Sequence, residues 1–395
     1  MENINASIII PTCNRKELLK LSLHSFNYQD YTKEKFEVIV IDDGSIDGTS
    51  DMIKSLKVNY KLIFLRNEEN CGPAHARNLG LQNASGEIII FSDSDCIVPS
   101  NFVSGHLKHH EMSNNICPSA AIRWKKVYSS YYEDFNAMQK YEFQNAMISI
   151  PSFKDRLMDL NFNYENDFKI LFENDVQEID KYSYIPSWSD EYLGSIVKSY
   201  GPSLDGFAYP WILFTTGNVS IRKKHVIAEG GFDERLKRDE DWDLGYRLYK
   251  SGIKFTCDLE LESSHQEHII TSNREGKMLE SYKLIFNKYK DYELSLFCLF
   301  LQNSVALETL SNAALEYKII LRNEQAYNPV IEKFKHLLKY RVSSFLAENT
   351  RTENFTNIDN ELRIINPISN LLPTFINIFK ELSRIYSFNI DKALE

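Results

Sequence analysis

No stretch of this chain approaches the roughly 18 consecutive apolar residues that mark a membrane-spanning helix. The apolar run near the amino terminus, Ser7 to Ile10, is far too short for the hydrophobic region of a secretory signal. The expectation is a cytoplasmic protein. The six cysteines (Cys13, Cys71, Cys96, Cys117, Cys257 and Cys298) show no C-x-x-C spacing. They read as reduced thiols, not as a disulfide framework or a zinc site. Positive charge is in deficit, with 45 Lys and Arg against 55 Asp and Glu for a formal net charge of −10. That balance argues against a nucleic-acid groove, and no nucleic-acid partner is expected. Internal repeats and low-complexity segments are missing too. What remains is the composition of a soluble globular protein, 43% hydrophobic and 25% charged. Its 395 residues suffice for one large domain or two ordinary ones.

The most informative stretch is Ile88-Ile-Ile-Phe-Ser-Asp93-Ser94-Asp95. Four apolar residues between Gly86 and Pro99 predict a short strand buried on both faces. Two carboxylates then stand just past its carboxyl end, where open α/β sheets bind ligands. Such a pair repels unless something positive lies between its members. A divalent cation holding a diphosphate meets that need.

The first third alternates strand and helix signals. Ser7–Ile10 predicts a strand, broken by Pro11 and Thr12. Asn14 with Glu17 resembles a capping box for a helix carrying Leu19, Leu23 and Phe26. Val38–Ile41 predicts a second strand ending in Asp42-Asp43, and Thr49, Met52, Ile53 and Leu56 have helical spacing. Lys61–Leu65 predicts a third strand. Gly72-Pro73 opens a helix that Ser85-Gly86 closes. Three β-α repeats feeding a fourth strand imply a doubly wound, mostly parallel sheet.

From about Pro118 to Phe214 the periodicity weakens. This segment, with Trp124, Trp188 and Trp211, predicts an irregular lobe over the mouth of the sheet. Its aromatic residues either stack on sugar faces or build the lobe's own core. Leu244, Arg247 and Leu248 fit a helix beginning near Asp241, and Lys254–Thr256 predicts a strand. After Glu280 the chain reads as helical, with Leu294, Phe297, Leu301, Ala306 and Leu310 packing amphipathically. His106, His109 and His110 have helical metal-ligand spacing but no fourth partner, and read as a solvated helix face.

Four ordered motifs resemble the family 2 glycosyltransferases: Ser7-Ile-Ile-Ile-Pro-Thr-Cys-Asn-Arg15, Val40-Ile-Asp-Asp-Gly-Ser45, Gly72-Pro-Ala-His-Ala-Arg-Asn-Leu-Gly80 and Phe91-Ser-Asp-Ser-Asp95. Gly230-Gly-Phe-Asp-Glu234 and Glu240-Asp-Trp-Asp-Leu-Gly-Tyr-Arg-Leu248 resemble that family's acceptor-side signature. The match covers roughly residues 5–270 and nothing after about Lys290. Cys13 stands where the family usually has Tyr or Phe, and the insertion between the two halves is long. The resemblance implies a GT-A fold, a Rossmann-like α/β sheet with an irregular acceptor lobe and, here, a helical C-terminal extension. It divides the chain into a nucleotide-sugar half at 1–117, an acceptor half at 118–280 and the extension at 281–395.

The resemblance also implies roles. Pro11, Thr12 and Asn14 line a nucleobase pocket; Asp43 accepts from the uracil ring, with Asp42 the alternative. Arg77 contacts the nucleotide, or else forms an ion pair with Asp43 or Asp93. Asp93 and Ser94 meet the nucleotide-sugar, and Asp93 and Asp95 hold Mn²⁺ or Mg²⁺ as Lewis acid. His265 looks like the imidazole that joins them on the metal, and suits Mn²⁺ more than Mg²⁺; His268 is the alternative in register. Asp241, paired with Glu240, matches the general base, and the bland alternative is a helix N-cap. Gly217, Asn218 and Trp242 fall on the acceptor side. The implied activity is inverting transfer of a hexose or N-acetylhexosamine from a UDP-sugar to a hydroxyl of a glycan or lipid-linked acceptor, as in cell-surface polysaccharide synthesis. The alternatives are a peptide or protein acceptor, or a non-catalytic relative that binds sugar nucleotides. A nucleotidyltransferase would need a Gly-rich phosphate loop after the first strand, where this chain has Pro-Thr-Cys-Asn-Arg. The C-terminal helices are expected to form a homodimer, present the acceptor, or touch the inner face of a membrane peripherally.

Overall fold

A computed structural model describes residues 4–120, 125–186, 189, 194–270, 274–301, 305–345 and 358–392. The chain divides into two compact units, one of residues 1–205 and 210–277, the other of 206–209 and 278–395.

The first unit is built on β1 (Ala6–Thr12), β2 (Phe36–Asp43), β3 (Lys61–Asn67), β4 (Ile88–Ser92), β6 (Ile116–Ser119), β11 (Asn218–Arg222) and β12 (Lys254–Cys257). Their order is β12-β6-β11-β4-β1-β2-β3. The pairs β1–β2, β2–β3, β1–β4 and β6–β12 are parallel, and only β11 runs against its neighbours. The doubly wound, mostly parallel α/β sheet expected from the sequence is therefore present. Every residue of β2 and β4 is buried, as strands covered on both faces require. Helices α1 (Lys16–Ser25), α2 (Thr49–Ser55), α3 (Pro73–Asn83) and α4 (Phe102–Met112) complete the layers.

The expected capping box at α1 does not form. Arg15 is the N-cap and makes no side-chain cap. Asn14 sits in the left-handed region at φ 53°, which Asn tolerates, and its Oδ1 accepts from Ile46 N at 2.8 Å. The amide pins the turn after β2 and is not available to the helix.

The reading of a solvated histidine face is also overturned. His106 and His110 are buried. His106 lies between Ser220 Oγ and Asn218 Oδ1, both at 3.0 Å, and His110 Nε2 is 2.9 Å from the same Ser220 Oγ. Their partners come from β11, more than 100 positions away, so local helix spacing could not reveal them.

The 118–214 segment forms a real lobe. A second sheet, of order β10-β7-β13-β5, joins β5 (Cys96–Ile97), β7 (Lys125–Val127), β10 (Ser183–Tyr184) and β13 (Ser264–Gln266). A short ribbon pairs β8 (Ser130–Tyr131) with β9 (Phe168–Lys169). Helices α5 (Ala137–Ser149) and α6 (Pro151–Asp159) bring Phe143 and Phe153 into a core with Tyr128, Tyr131 and Phe135, all buried. The Tyr128–Phe143 and Tyr131–Phe143 rings meet edge to face at 5.0 and 5.1 Å. Of the two readings of the aromatic residues, core building holds for these. Trp211 is buried too, while Trp124 and Trp188 lie outside the described residues.

The second unit is helical: Tyr292–Leu301, Leu307–Leu321, Glu324–Phe345, Asp359–Ile365 and Pro373–Lys392, entered through Arg274–Tyr289. Leu294, Leu296, Phe297, Cys298 and Leu299 are buried in its core, so this apolar segment presents no surface. No helix among the described residues is long and apolar enough to cross a membrane.

Two glycines allow the close layering of the first unit. A Cβ on Gly86 would lie 2.6 Å from backbone atoms of Ala6 and Ser7, and one on Gly80 2.6 Å from Ile9 Cγ2. Backbone cannot yield where a side chain can rotate. Gly86→Ala is expected to cost the upper end of about 1–3 kcal/mol in urea denaturation, and Gly80→Ala the lower end.

Candidate active site

The sheet brings the carboxyl ends of β1, β2 and β4 together, with Thr12, Asp43 and the Asp93–Asp95 turn on them. Thr12 is buried and its Oγ1 has no hydrogen-bond partner in the protein. Asp43 is buried and accepts from Asn67 Nδ2 at 2.7 Å, Cys71 N at 3.0 Å and Gly72 N at 2.8 Å. It therefore shapes the loop that opens α3. Asp42 is held by Arg66 and Ser45 N. Pro11 is half-buried, Asn14 is exposed at the rim, and Ser94 is buried inside its turn.

The two acids of the turn go separate ways. Asp93 Oδ1 accepts from Arg77 Nη2 at 3.0 Å, and Arg77 Nη1 also donates to Glu240. Arg77 is thus an ion pair with Asp93, as one reading had it, and with Glu240 besides. Burial alone would lower the Arg77 pKa, but Glu240 and Asp93 outweigh it and the pKa rises. Gly217 matters here because a Cβ would stand 3.1 Å from Asp93 Oδ2.

Asp95 is buried and turns to a different set of partners. Its Oδ2 receives Arg15 Nη1, and His265 Nε2 and His268 Nε2 lie 3.6 and 3.3 Å from the same oxygen. The ligand atoms of Asp95, His265 and His268 all lie within 4.8 Å of one another. Hydrogen bonding on the far side of each ring fixes its proton. His265 Nδ1 is 3.3 Å from Glu267 Oε1 and His268 Nδ1 is 3.0 Å from the Ile269 carbonyl. Carboxylates and carbonyls only accept, so each Nδ1 donates. A neutral ring protonated on Nδ1 presents its Nε2 lone pair beside the Asp95 carboxylate. Burial, followed by Arg15, pushes the His268 pKa down to about 4, which keeps that ring neutral near pH 7. One carboxylate oxygen and two imidazole nitrogens within 4.8 Å of one another form a group that could hold a cation. One carboxylate with two imidazoles is a donor set for Mn²⁺ or its neighbours in preference to Mg²⁺.

The helix Glu240–Lys250 starts beside this cluster. Its N-cap is Asp239, which makes no side-chain cap, so Asp241 is not the N-cap. Asp241 accepts from Trp242 N at 2.9 Å and Thr216 N at 3.4 Å. Its carboxyl is pushed up to about 8, first by burial and then by Glu240 and Asp239. Trp242 meets Trp211 edge to face at 6.3 Å.

Of the sequence-assigned residues, Arg77, Asp93, Glu240 and Asp241 come together, and Asp95 joins His265. Asp93 stands outside the three-residue metal group, and His268 takes that place. Asn218 requires a correction: it is buried, with Oδ1 on His106 and Nδ2 on Leu261 O and Ser263 Oγ at 2.7 and 2.9 Å. Its side chain braces the segment before β13 and is not offered to an acceptor. Sequence reasoning missed Arg15, Glu267 and Lys126. His265 and Glu267 are two apart in an extended strand, hence on one face, which is the signal that was available.

Residues 7–163 match the family described as Glycosyl transferase family 2. The uncharacterized glycosyltransferase YfnE of Bacillus subtilis (strain 168) is 39% identical over 270 residues, 67% of this chain and 65% of that protein. A validoxylamine A glucosyltransferase of Streptomyces hygroscopicus subsp. limoneus is 28% identical over 266 residues, 66% of this chain and 52% of that one. The chain thus spans less than two thirds of the length of these curated relatives. The crystal structure of S. aureus TarS 1-349 in complex with UDP-GlcNAc shares the fold, with TM-score 0.52 at 18% identity over 87% of this chain and 89% of that one.

The raised Asp241 pKa carries a stability consequence. A folded pKa of about 8 against an ordinary 3.8 means that the folded state keeps a proton which the unfolded chain has lost. The group's contribution to stability therefore falls as pH rises toward 8. Asp241→Asn removes that slope. In denaturant titrations its stability relative to wild type is expected to climb by about 1–2 kcal/mol from about pH 6 to about pH 8.

Proposed function

We propose that this chain, which has a GT-A fold and whose residues 7–163 match Glycosyl transferase family 2, moves a sugar from a UDP-sugar to an acceptor hydroxyl with inversion at the anomeric carbon. The observation that carries this reading is the convergence of the Asp95, His265 and His268 ligand atoms beside Asp93, at the carboxyl ends of the parallel strands. Asp95, His265 and His268 would hold a divalent cation, Mn²⁺ by their donor set, and such an ion would supply Lewis-acid stabilisation of the diphosphate leaving group. The UDP-GlcNAc in the TarS structure is consistent with a UDP-linked N-acetylhexosamine donor. The buried, unpartnered Thr12 hydroxyl suits a nucleotide contact at the end of β1.

The chain's own residues divide the work. Arg77 bridges Asp93 and Glu240, offsetting part of their charge and holding both acids in place. Asp241 is the general base. Once ionised it takes the proton of the acceptor hydroxyl, whose oxygen attacks the anomeric carbon as the bond to the diphosphate oxygen breaks. Its raised pKa makes it a stronger base than an ordinary carboxylate, with more driving force to accept that proton. Gly217 leaves room for Asp93, and Trp242 offers a ring edge on the acceptor side. The acceptor is a glycan or lipid-linked hydroxyl in this reading.

The test is UDP release from a panel of UDP-sugars with Mn²⁺ and candidate acceptors. Asp95→Ala and Asp241→Asn are each expected to lower turnover by about 10²–10⁴-fold; wild-type rates in both sink the assignment. The pH profile gives a second check. In the free enzyme kcat/KM should rise with pH through about 8, where Asp241 ionises. Glu240→Gln removes a negative neighbour, so the acid limb should move to lower pH.

A further inference from the structure

Behind the two imidazoles stands a buried polar chain that reaches into the lobe. His265 Nδ1 meets Glu267 Oε1 at 3.3 Å, Glu267 Oε2 meets Lys126 Nζ at 3.2 Å, and Lys126 Nζ meets Glu142 Oε2 at 2.7 Å. Lys126 and Glu267 are both buried. Glu142 lies on α5, three residues after Gln139 and so on the same helix face. Gln139 is buried as well. Its Nε2 donates to the His268 carbonyl at 2.8 Å, while its Oε1 closes the capping box of α5 with Asn136 N at 3.3 Å. One face of α5 therefore supports both imidazoles, one through Lys126 and Glu267, the other through backbone.

We propose that Glu267, Lys126, Glu142 and Gln139 are positioning residues through which the inserted lobe sets the geometry and affinity of the metal centre, an inference that rests on reading Asp95, His265 and His268 as that centre. A buried lysine between two buried or half-buried carboxylates is costly unless every partner is satisfied, and here each is. The triad keeps one negative charge in excess directly behind His265. That charge holds the Nδ1 proton in place and aims the Nε2 lone pair at Asp95. Carboxylates in this relation to a ligating histidine raise its basicity and fix its ring. Register enforces the arrangement: His265 pairs with Cys96 on one side and Lys126 on the other.

The experiment uses the full chain with ¹⁵N-labelled histidine, assigning His265 by its loss in His265→Gln, together with Mn²⁺ titrations at saturating UDP read by electron paramagnetic resonance of free Mn²⁺. Wild-type His265 is expected to carry its neutral proton on Nδ1. Glu267→Leu should lose that preference and weaken Mn²⁺ about 10–100-fold. Glu267→Gln, isosteric, keeps one acceptor oxygen for the two donors His265 Nδ1 and Lys126 Nζ, loses the charge, and should weaken Mn²⁺ by a smaller factor. Metal-free UDP affinity should not change in either variant. Unchanged Mn²⁺ affinity in both variants, or a wild-type proton on Nε2, overturns the proposal. A wild-type protein with the Nδ1 proton but no Mn²⁺ binding overturns the metal centre instead and leaves Glu267 as the residue that orients His265.

Discussion

The Arg77 guanidinium is the interaction on which the two halves of the first unit depend. It is buried, and it bridges Asp93 on the turn after β4 and Glu240 at the start of the helix Glu240–Lys250. Isolated burial of a guanidinium is prohibitive, and two carboxylates make it tolerable. Removing the arginine would leave two acids facing each other near Asp241, so the cluster stands or falls as a unit. Helix α3 adds a second grip one residue further on. Asn78 donates to the Phe232 carbonyl and accepts from Phe232 N, both at 2.9 Å, and donates to Glu234 at 2.8 Å. Gly231 is bare at this point because a Cβ would fall 2.7 Å from Asn78 Oδ1, and its φ of +74° favours glycine as well. The motif beginning at Gly72 and the motif beginning at Gly230 are thus two sides of one clamp.

That clamp explains why four neighbouring acids behave differently. Asp93 and Glu240 share the single positive charge of Arg77, which holds both in place. Asp95 lies beyond the arginine and looks to His265, His268 and Arg15. Asp241 feels its acidic neighbours and its burial more than it feels Arg77, and so holds its proton far above the ordinary range. Environment alone separates a charge-fixing pair, a cation ligand and a base among residues of one chemical type.

Much of this was legible in the sequence because it is written locally. Apolar runs ending in acids identified β2 and β4, and Gly72-Pro73 placed the start of α3 to the residue. The pairing of Asp241 with Glu240 at a helix start was readable for the same reason. What escaped depends on partners brought in by distant strands. His106 and His110 look like a wet helix face until β11 supplies Ser220 and Asn218. Asn218 looks acceptor-facing until His106 and the Leu261 carbonyl consume it. The aromatic residues of the lobe fit sugar stacking and core packing equally well in one dimension, and only their burial decides. The Leu294–Leu301 segment shows that an apolar helix with little periodicity is read as a surface at the reader's risk; it lies inside its own unit.

The lobe's packing and the chemistry of the site are joined by strand register. In the small sheet, β13 lies between β5, which follows directly from Asp95, and β7, which carries Lys126. Side chains alternate along a strand, so a slip of one residue would turn His265 and Glu267 away from Asp95 and Lys126 together. Nothing in the three-residue length of β13 fixes its register by itself. The backbone bonds Gln266 N to Asp95 O at 2.8 Å and Glu267 N to Val127 O at 2.9 Å do so, and the second of these depends on β7. Val127 and Tyr128 are in turn locked into the aromatic core with Phe143 and Phe153. The aromatic core of the lobe therefore helps determine which face of β13 meets the aspartate. Substitutions deep in the lobe should reach the site through that strand.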